Sequence, residues 1–391
     1  MGPVASRLDA GALEEHLLSV IEEYLLSVIA EPGRPGLPAD ALRGVLGGCA
    51  ALYDTGLEAY LAGERLGLRR RDMLPVSVIS IGNLSVGGTG KTPMTQLLCR
   101  RMQAQEKRVA VLSRGHGGES RSVRVVSDAE GEVFLSAAQA GDEPHLLART
   151  LPRVPVLVGK DRRQSGREAL RRFGLDALIL DDGFQFWQLG RDLDIVLLDA
   201  RRPFDNGFPL PRGLLREPKR HLRRAGLVVA TRAGGLGPED REALAAQVHA
   251  LAPNAPLFFA DHYAAGFVPA DDLSAPIRPA SELRGRRVFA VSAIAQPLSF
   301  IETLERAVGA EVVGRLAWDD HHKISPDDAR AALDAAARAG AEAVVMTEKD
   351  AVKWPFAAEA GRPVYALRVE MALDDEAGFM AQVLARMRSR T

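Results

Sequence analysis

This sequence is short of several things, and each shortage removes a class of protein. Only two cysteines occur in 391 residues, Cys49 and Cys99, and they form no close-spaced metal or redox motif. Free thiols in a reducing cytosol are expected, and a disulfide scaffold is excluded. Neither sign of charge is in excess: 50 Lys and Arg against 51 Asp and Glu leave a formal net charge of −1. That balance gives no global pull toward nucleic acid or a membrane, so attraction must come from local patches, and no nucleic-acid partner is expected. No run of about 18 purely apolar residues occurs, so a conventional spanning helix is not expected. The N-terminus lacks a basic region followed by an apolar core and a small-residue cleavage site, and does not read as a signal peptide.

What is present is an alternation. Residues Glu14 to Ile29 hold a tandem octad, "EEHLLSVI" then "EEYLLSVI", which places Leu17, Leu18, Ile21, Leu25, Val28 and Ile29 on one helical face. A docked terminal helix and a membrane or partner contact both fit it. "EPGRPGLP" follows as a linker. Leu42 to Leu68 is a second helical stretch, closed by Arg69, Arg70 and Arg71. It suits an interfacial helix at anionic headgroups and, equally, a core-packing helix with a solvated basic end. After it, "VSVISIG", "RVAVLSRG", "VPVLVG", "DALILDD", "LDIVLLDA" and "GLVVATRA" read as strands buried on both faces. Helical segments lie between several of them, which predicts a parallel α/β sheet. "PLFFADHYAAGFV" reads as an exposed ribbon, a second αβ alternation follows, and "RPVYALRVEMAL" looks like the returning ribbon strand.

Chemistry concentrates first at Ser85, Val86, Gly87, Gly88, Thr89, Gly90, Lys91 and Thr92, "SVGGTGKT". This fits G-x-x-x-x-G-K-[ST] except that Ser85 replaces the first glycine. Three glycines let successive N–H groups face phosphate oxygens, Lys91 can reach the β and γ oxygens, and the Thr92 hydroxyl can bind Mg²⁺. The helix beginning there aims its positive end at the same place, and Pro93 suits its first turn. A GTPase would read guanine through N-K-x-D, but "TEKD" at Thr347 to Asp350 is one residue short and lies in the second alternation, so GTP is disfavoured. Partition-type ATPases carry a lysine where this chain has Val86.

Downstream, Asp181 and Asp182 end an apolar strand where a carboxylate can hold Mg²⁺ beside such a loop. Which of the two touches the metal is open. Asp142 and Glu143 begin a helix and, taken alone, are acids favoured by its dipole. "WDDHHKIS" gathers Asp319, Asp320, His321 and His322; a histidine tuned by an acid fits better than a metal site. Arg201 to Arg224 holds eight Lys and Arg against Asp205 and Glu217, which suits an anionic acceptor or a solvated surface. The alternatives to a phosphotransferase are an ATPase coupled to a protein partner and a nucleotide-binding regulator without turnover. A candidate acceptor base and a basic loop favour transfer over the first. Intact Lys91, Thr92 and Asp181 weigh against the second.

Taken in order, "IGNLSVGGTGKTP", "VLSRGHGG", "GDEPHLLAR", "LILDDGFQ", "RDLDIVLLDA", "LLREP", "DDHH" and "TEKDAVKW" resemble the tetraacyldisaccharide 4′-kinases, over roughly Leu42 to the C-terminus. The resemblance implies ATP- and Mg²⁺-dependent phosphorylation of the 4′-hydroxyl of a tetraacylated glucosamine disaccharide 1-phosphate. It places this lipid kinase at the cytoplasmic face of the bacterial inner membrane, on an anionic surface, with no obligate protein partner evident. It implies a P-loop NTPase-like α/β/α domain and a second, smaller α/β/α domain joined by a two-stranded β linker. The expected division is an N-terminal extension over 1–40, helical or partly disordered, and a P-loop kinase domain with its membrane-associated helix over 41–255. A ribbon linker over 256–285 and 363–373, a C-terminal α/β domain over 286–362 and a helix over 374–391 packing on the first domain complete it. By the same resemblance Asp142 is the base, assisted by His321, with Lys91 in the catalytic set. Thr92, Glu143, Asp181 and Asp182 surround Mg²⁺, and Arg114, Gln185 and Arg216 meet the acceptor. Phe186, Leu214 and Trp318 depart from the family's usual residues, at positions that bear on acceptor contacts rather than on phosphoryl transfer.

Overall fold

The computed structural model describes residues 37–119, 122–294, 296–319, 322–355 and 361–387. The tandem octads and His321 lie outside the described residues. The apolar runs become strands because β-branched and leucine side chains fill both sides of a pleat. These are β1 (Ser77–Asn83), β2 (Val109–Ser113), β3 (Arg124–Ser127), β4 (Val156–Val158), β5 (Ala177–Asp181) and β6 (Leu193–Asp199). They continue as β7 (Leu227–Thr231), β8 (Leu257–Pro269), β9 (Arg287–Ser292), β10 (Glu311–Ala317), β11 (Ala343–Thr347) and β12 (Val364–Leu373).

All twelve form one sheet in the order β10-β9-β11-β12-β8-β7-β6-β1-β5-β2-β4-β3. The expected two layers are therefore two parallel halves of a single sheet. They meet where β8 and β12 pair antiparallel, while β8 also pairs with β7 and β12 with β11. The short, half-buried edge strand β3 pairs antiparallel with β4 and is absent from the sequence-based strands. In the first half β1 lies between β5 and β6, and Ile81 is in register with Asp181. The C-terminal ends of β1 and β5 thus open onto one crevice, the usual place for a ligand in such sheets.

Alternate residues face opposite layers, as a strand's period of two requires. Ile79, Ile81, Ile179 and Ile195 join Met94, Leu98 and Met102 of the helix Lys91–Ala104 on one face. Val78, Leu178 and Leu180 face the other. Two further clusters cover the faces of β9, β11 and β12. The helix Asp142–Thr150 belongs to both halves. Its Leu147 packs in the first half's core, while Leu146 packs with Val268, Leu273 and Trp354, and Arg149 donates to the Asp271 carbonyl at 2.7 Å.

The last described helix, Glu376–Ala385, returns to the first half. Asp375 caps it by accepting from the Gly378 N–H at 2.8 Å, and Phe379 and Val383 enter the core. Phe379 meets Phe258 edge to face with centroids 5.5 Å apart. Replacing Phe379 by Ala removes a fully buried ring and is expected to cost about 3–5 kcal/mol in denaturant unfolding. A loss under about 1 kcal/mol would show that this helix does not help to close the core.

Candidate active site

The loop after β1 is shaped from both sides. Gly87 and Gly90 have φ of +108° and +86°, a region open to glycine at little cost. Gly90 needs its bareness twice, since a Cβ there would stand 2.6 Å from His262 Nε2 and 2.9 Å from Met371 Cε. Those two side chains come from β8 and β12, so the ribbon lies against the loop. The loop's carbonyls are held outward. Gly88 O accepts from Arg232 Nη2 at 2.8 Å, and Thr89 O accepts from Thr231 Oγ1 at 3.0 Å. Arg232 is itself ion-paired with Asp199. Two loop carbonyls are thus occupied, and the helix starting at Lys91 has no acidic residue in its first turn, which leaves its N-terminal N–H groups suited to an anion. Thr231 and Arg232 hold the loop, and sequence reasoning passes over both as a strand end.

Lys91 and the paired acids face one another across the crevice. Lys91 Nζ lies 3.5 Å from Asn83 Oδ1 and 3.9 Å from Asp182 Oδ1. Asp182, at a left-handed φ of +52°, takes both carboxylate oxygens to Arg216 Nη1, at 3.0 and 2.9 Å. Burial works to raise its pKa, but Lys91 and Arg216 outweigh burial and hold the carboxyl below its ordinary range. Asp181 behaves oppositely. It is buried, accepts from Thr95 Oγ1 at 3.2 Å and Ser113 Oγ at 3.4 Å, and its pKa is pushed up to about 7. Desolvation leads, followed by the charges of Glu143 and Asp182. A desolvated carboxylate crowded by acids and lined by hydroxyls suits a hard divalent cation, and the donor set fits Mg²⁺. Among the described residues no group of three or more His, Cys, Asp or Glu is arranged to hold a metal alone. Mg²⁺ sites completed by phosphate and water are built that way.

The segment "LLREP" is part of the same wall. Val86 N–H donates to the Leu214 carbonyl at 2.8 Å and Arg216 N–H to the Leu84 carbonyl at 2.6 Å. Gln185 Nε2 donates to the Asn83 carbonyl at 3.0 Å, while its Oε1 is buried with no hydrogen-bond partner among the described residues. Arg114 is exposed just beyond β2. Its charge bears on Arg162, a residue that the sequence reading did not single out. Arg162 is buried, and desolvation first, then Arg114, lower its pKa to about 10. Its guanidinium lies 5.3 Å from the Phe186 ring, so the departure at Phe186 stacks against a cation.

Glu143 is exposed, and its charge helps to raise the Asp181 pKa. Asp142 Oδ2 stands 3.9 Å from Lys353 Nζ, which belongs to the other half. His321 lies outside the described residues. Its neighbour His322 stacks on Trp318 at 5.5 Å and pairs with Asp328 at 3.1 Å, as part of a helix start rather than a metal site.

Comparison with known proteins gives the family. The family described as tetraacyldisaccharide-1-P 4′-kinase matches residues 43–388. The tetraacyldisaccharide 4′-kinase of Anaeromyxobacter dehalogenans strain 2CP-C is 45% identical over 352 residues, 89% of this chain and 86% of that protein. That of Syntrophus aciditrophicus strain SB is 42% identical over 330 residues, 82% of this chain and 87% of its own. A crystal structure of LpxK from Aquifex aeolicus in complex with ATP superposes with a TM-score of 0.72 at 29% identity. It covers 89% of this chain and 100% of that one. A family match over most of the chain, with relatives above 40% identity along it, means that this protein belongs to the tetraacyldisaccharide 4′-kinase family.

Proposed function

We propose that the crevice between β1 and the helix Asp142–Thr150 transfers the γ-phosphoryl group of ATP to the 4′-hydroxyl of a tetraacylated glucosamine disaccharide 1-phosphate. The family's reaction is this ATP-dependent lipid A step. One observation supports the assignment of residues: Lys91 of the phosphate loop lies 3.9 Å from Asp182, next to the buried Asp181 whose pKa the charge of Glu143 helps to raise. Ser85 to Thr92 cradle the nucleotide's phosphates, and Lys91 balances the charge that spreads over the transferring group. Thr92, Asp181, Asp182 and Glu143 would hold Mg²⁺, which neutralises nucleotide phosphate charge when bound. Asp181 is the carboxylate in greatest need of a cation. Asp142 accepts the proton of the attacking hydroxyl, with His321 as its helper. Arg114, Gln185 and Arg216 bind the acceptor's sugar and phosphate, and Arg162 joins them.

The helix Leu37–Arg65 supports an anionic membrane surface as the second partner, at the cytoplasmic face of the inner membrane. Among the described residues no helix is long and apolar enough to cross a membrane. This helix docks through a mixed face instead, with Ala50 and Leu61 buried beside polar contacts. Glu58 accepts from His221 Nε2 at 2.8 Å and Arg220 Nη2 at 3.0 Å, the His221 bond chiefly holding its carboxyl below the ordinary range. Tyr53 OH donates to the Arg216 carbonyl at 2.8 Å. Val45 and Leu52, seven residues apart on one face, are left 64% and 77% exposed, and Leu66 and Leu68 beyond the helix 75% and 78%. A helix facing only water would turn this stripe inward. Apolar side chains outward with Arg69, Arg70 and Arg71 at the end suit an interface with anionic lipid.

Labelled ATP and the disaccharide 1-phosphate are expected to give a bisphosphorylated lipid. Lys91→Ala should abolish it. Asp142→Asn should lower turnover about 10²- to 10⁴-fold while ATP binding by calorimetry is kept; near-normal turnover excludes Asp142 as the base. In protein free of nucleotide and Mg²⁺, the raised Asp181 pKa means that the fold resists ionisation. That stability is full below the ordinary value of 3.8 and is lost as pH rises toward about 7. Asp181→Asn should therefore melt higher than the parent, by a margin that widens from pH 4 to 7 and is flat above. A margin independent of pH contradicts the assignment. Val45→Glu with Leu52→Glu should weaken binding to anionic phospholipid vesicles by about tenfold or more without lowering the melting temperature. Unchanged vesicle binding removes this helix from the membrane contact.

A further inference from the structure

The segment "TEKDAVK", Thr347 to Lys353, ends β11 and turns through the short helix Glu348–Ala351. Its polar groups form a chain. Thr347 Oγ1 accepts from the Asp350 N–H at 3.2 Å and donates to Asp350 Oδ2 at 2.7 Å. The same Oδ2 accepts from the Ala293 N–H at 3.1 Å, so the fully buried Asp350 is fixed in one orientation. Its Oδ1 lies 3.3 Å from Lys353 Nζ, and that ammonium lies 3.9 Å from Asp142 Oδ2 in the other half. The Lys353 side chain is 7% exposed, and its Nζ has these two carboxylates in range but no well-formed hydrogen bond among the described residues. A buried ammonium is tolerated only with anionic partners, so Lys353 is bound to stay between the two.

We infer that Thr347, Asp350 and Lys353 form a positioning relay by which the second half of the molecule sets the Asp142 carboxylate. The proposal rests on Asp142 as the base. Asp350 is the anchored end, Lys353 the carrier, and Asp142 the end that has work to do. Lys353 acts through Asp142 and takes no proton itself. The same helix is tied to the same half by Leu146 in its core cluster and by Arg149 on the Asp271 carbonyl. The Lys353 approach thus joins the setting of Asp142 to the packing of the two halves.

Steady-state kinetics on the full chain test this, with thermal melting as the fold check. Lys353→Met should lower kcat about 10²-fold, the loss that a displacement of roughly 1 Å produces, with KM for ATP within about twofold. Lys353→Arg, which keeps the charge, should recover part of it. Asp142→Asn with Lys353→Met should be no slower than Asp142→Asn alone, because the two act as one unit. Should Lys353→Met not fold, Asp350→Asn with Lys353→Met removes both charges of the buried pair, and the same fall in kcat is expected. A folded Lys353→Met or neutral-pair variant with kcat within about threefold of the parent overturns the relay, as does a double variant whose losses multiply. Turnover that survives Asp142→Asn instead overturns the base, whatever Lys353 does.

Discussion

A peptide N–H is held ready for an anion when the backbone around it is fixed, and two carbonyls of the loop Ser85–Thr92 are tied down by Thr231 and Arg232. Glycine supplies the freedom to turn the backbone, but freedom alone does not choose a direction. Here the direction is imposed from outside, by Thr231 and Arg232 on the carbonyls and by His262 and Met371 against Gly90. These contacts fix the loop before any ligand arrives, and preorganisation of that kind is what electrostatic stabilisation needs. The strand order follows from it: β7 must lie near enough to β1 to reach the loop, with β6 alone between them.

Much of this was legible in the sequence because it is written contiguously. The glycine loop, the strands that end at Asn83 and Asp181, and the αβ alternation each depend on neighbours in the chain. Arg232 and Arg162 were not legible, since each matters only through residues far along the chain, Gly88 and Asp199 for one and Phe186 and Arg114 for the other. The single sheet was hidden for the same reason. Pairing of β8 with both β7 and β12 leaves no mark in local periodicity. Asp142 is an intermediate case: its position at a helix start reads as ordinary dipole compensation, and only family resemblance singles it out.

Burial divides the labour between two adjacent acids. Asp182 is neutralised by Lys91 and Arg216, while Asp181, one residue earlier, has hydroxyls for company and no cation close enough to offset its desolvation. Asp181 ends the strand against Thr95 and Ser113, while Asp182, one residue past it at a left-handed φ, meets Arg216. One acid therefore organises the basic wall, and its neighbour carries an unmet electrostatic demand. The Leu37–Arg65 helix divides its apolar residues in turn: Ala50 and Leu61 are buried beside the Glu58 contacts, and Val45 and Leu52 are left outside.

The long antiparallel pair β8–β12 is the seam along which the halves meet, and it is hydrogen-bonded on both flanks to its own half. Such a join has no slack. His262 and Met371 face each other across that seam beside Gly90, so the strands that tie the halves together also wall the phosphate cradle.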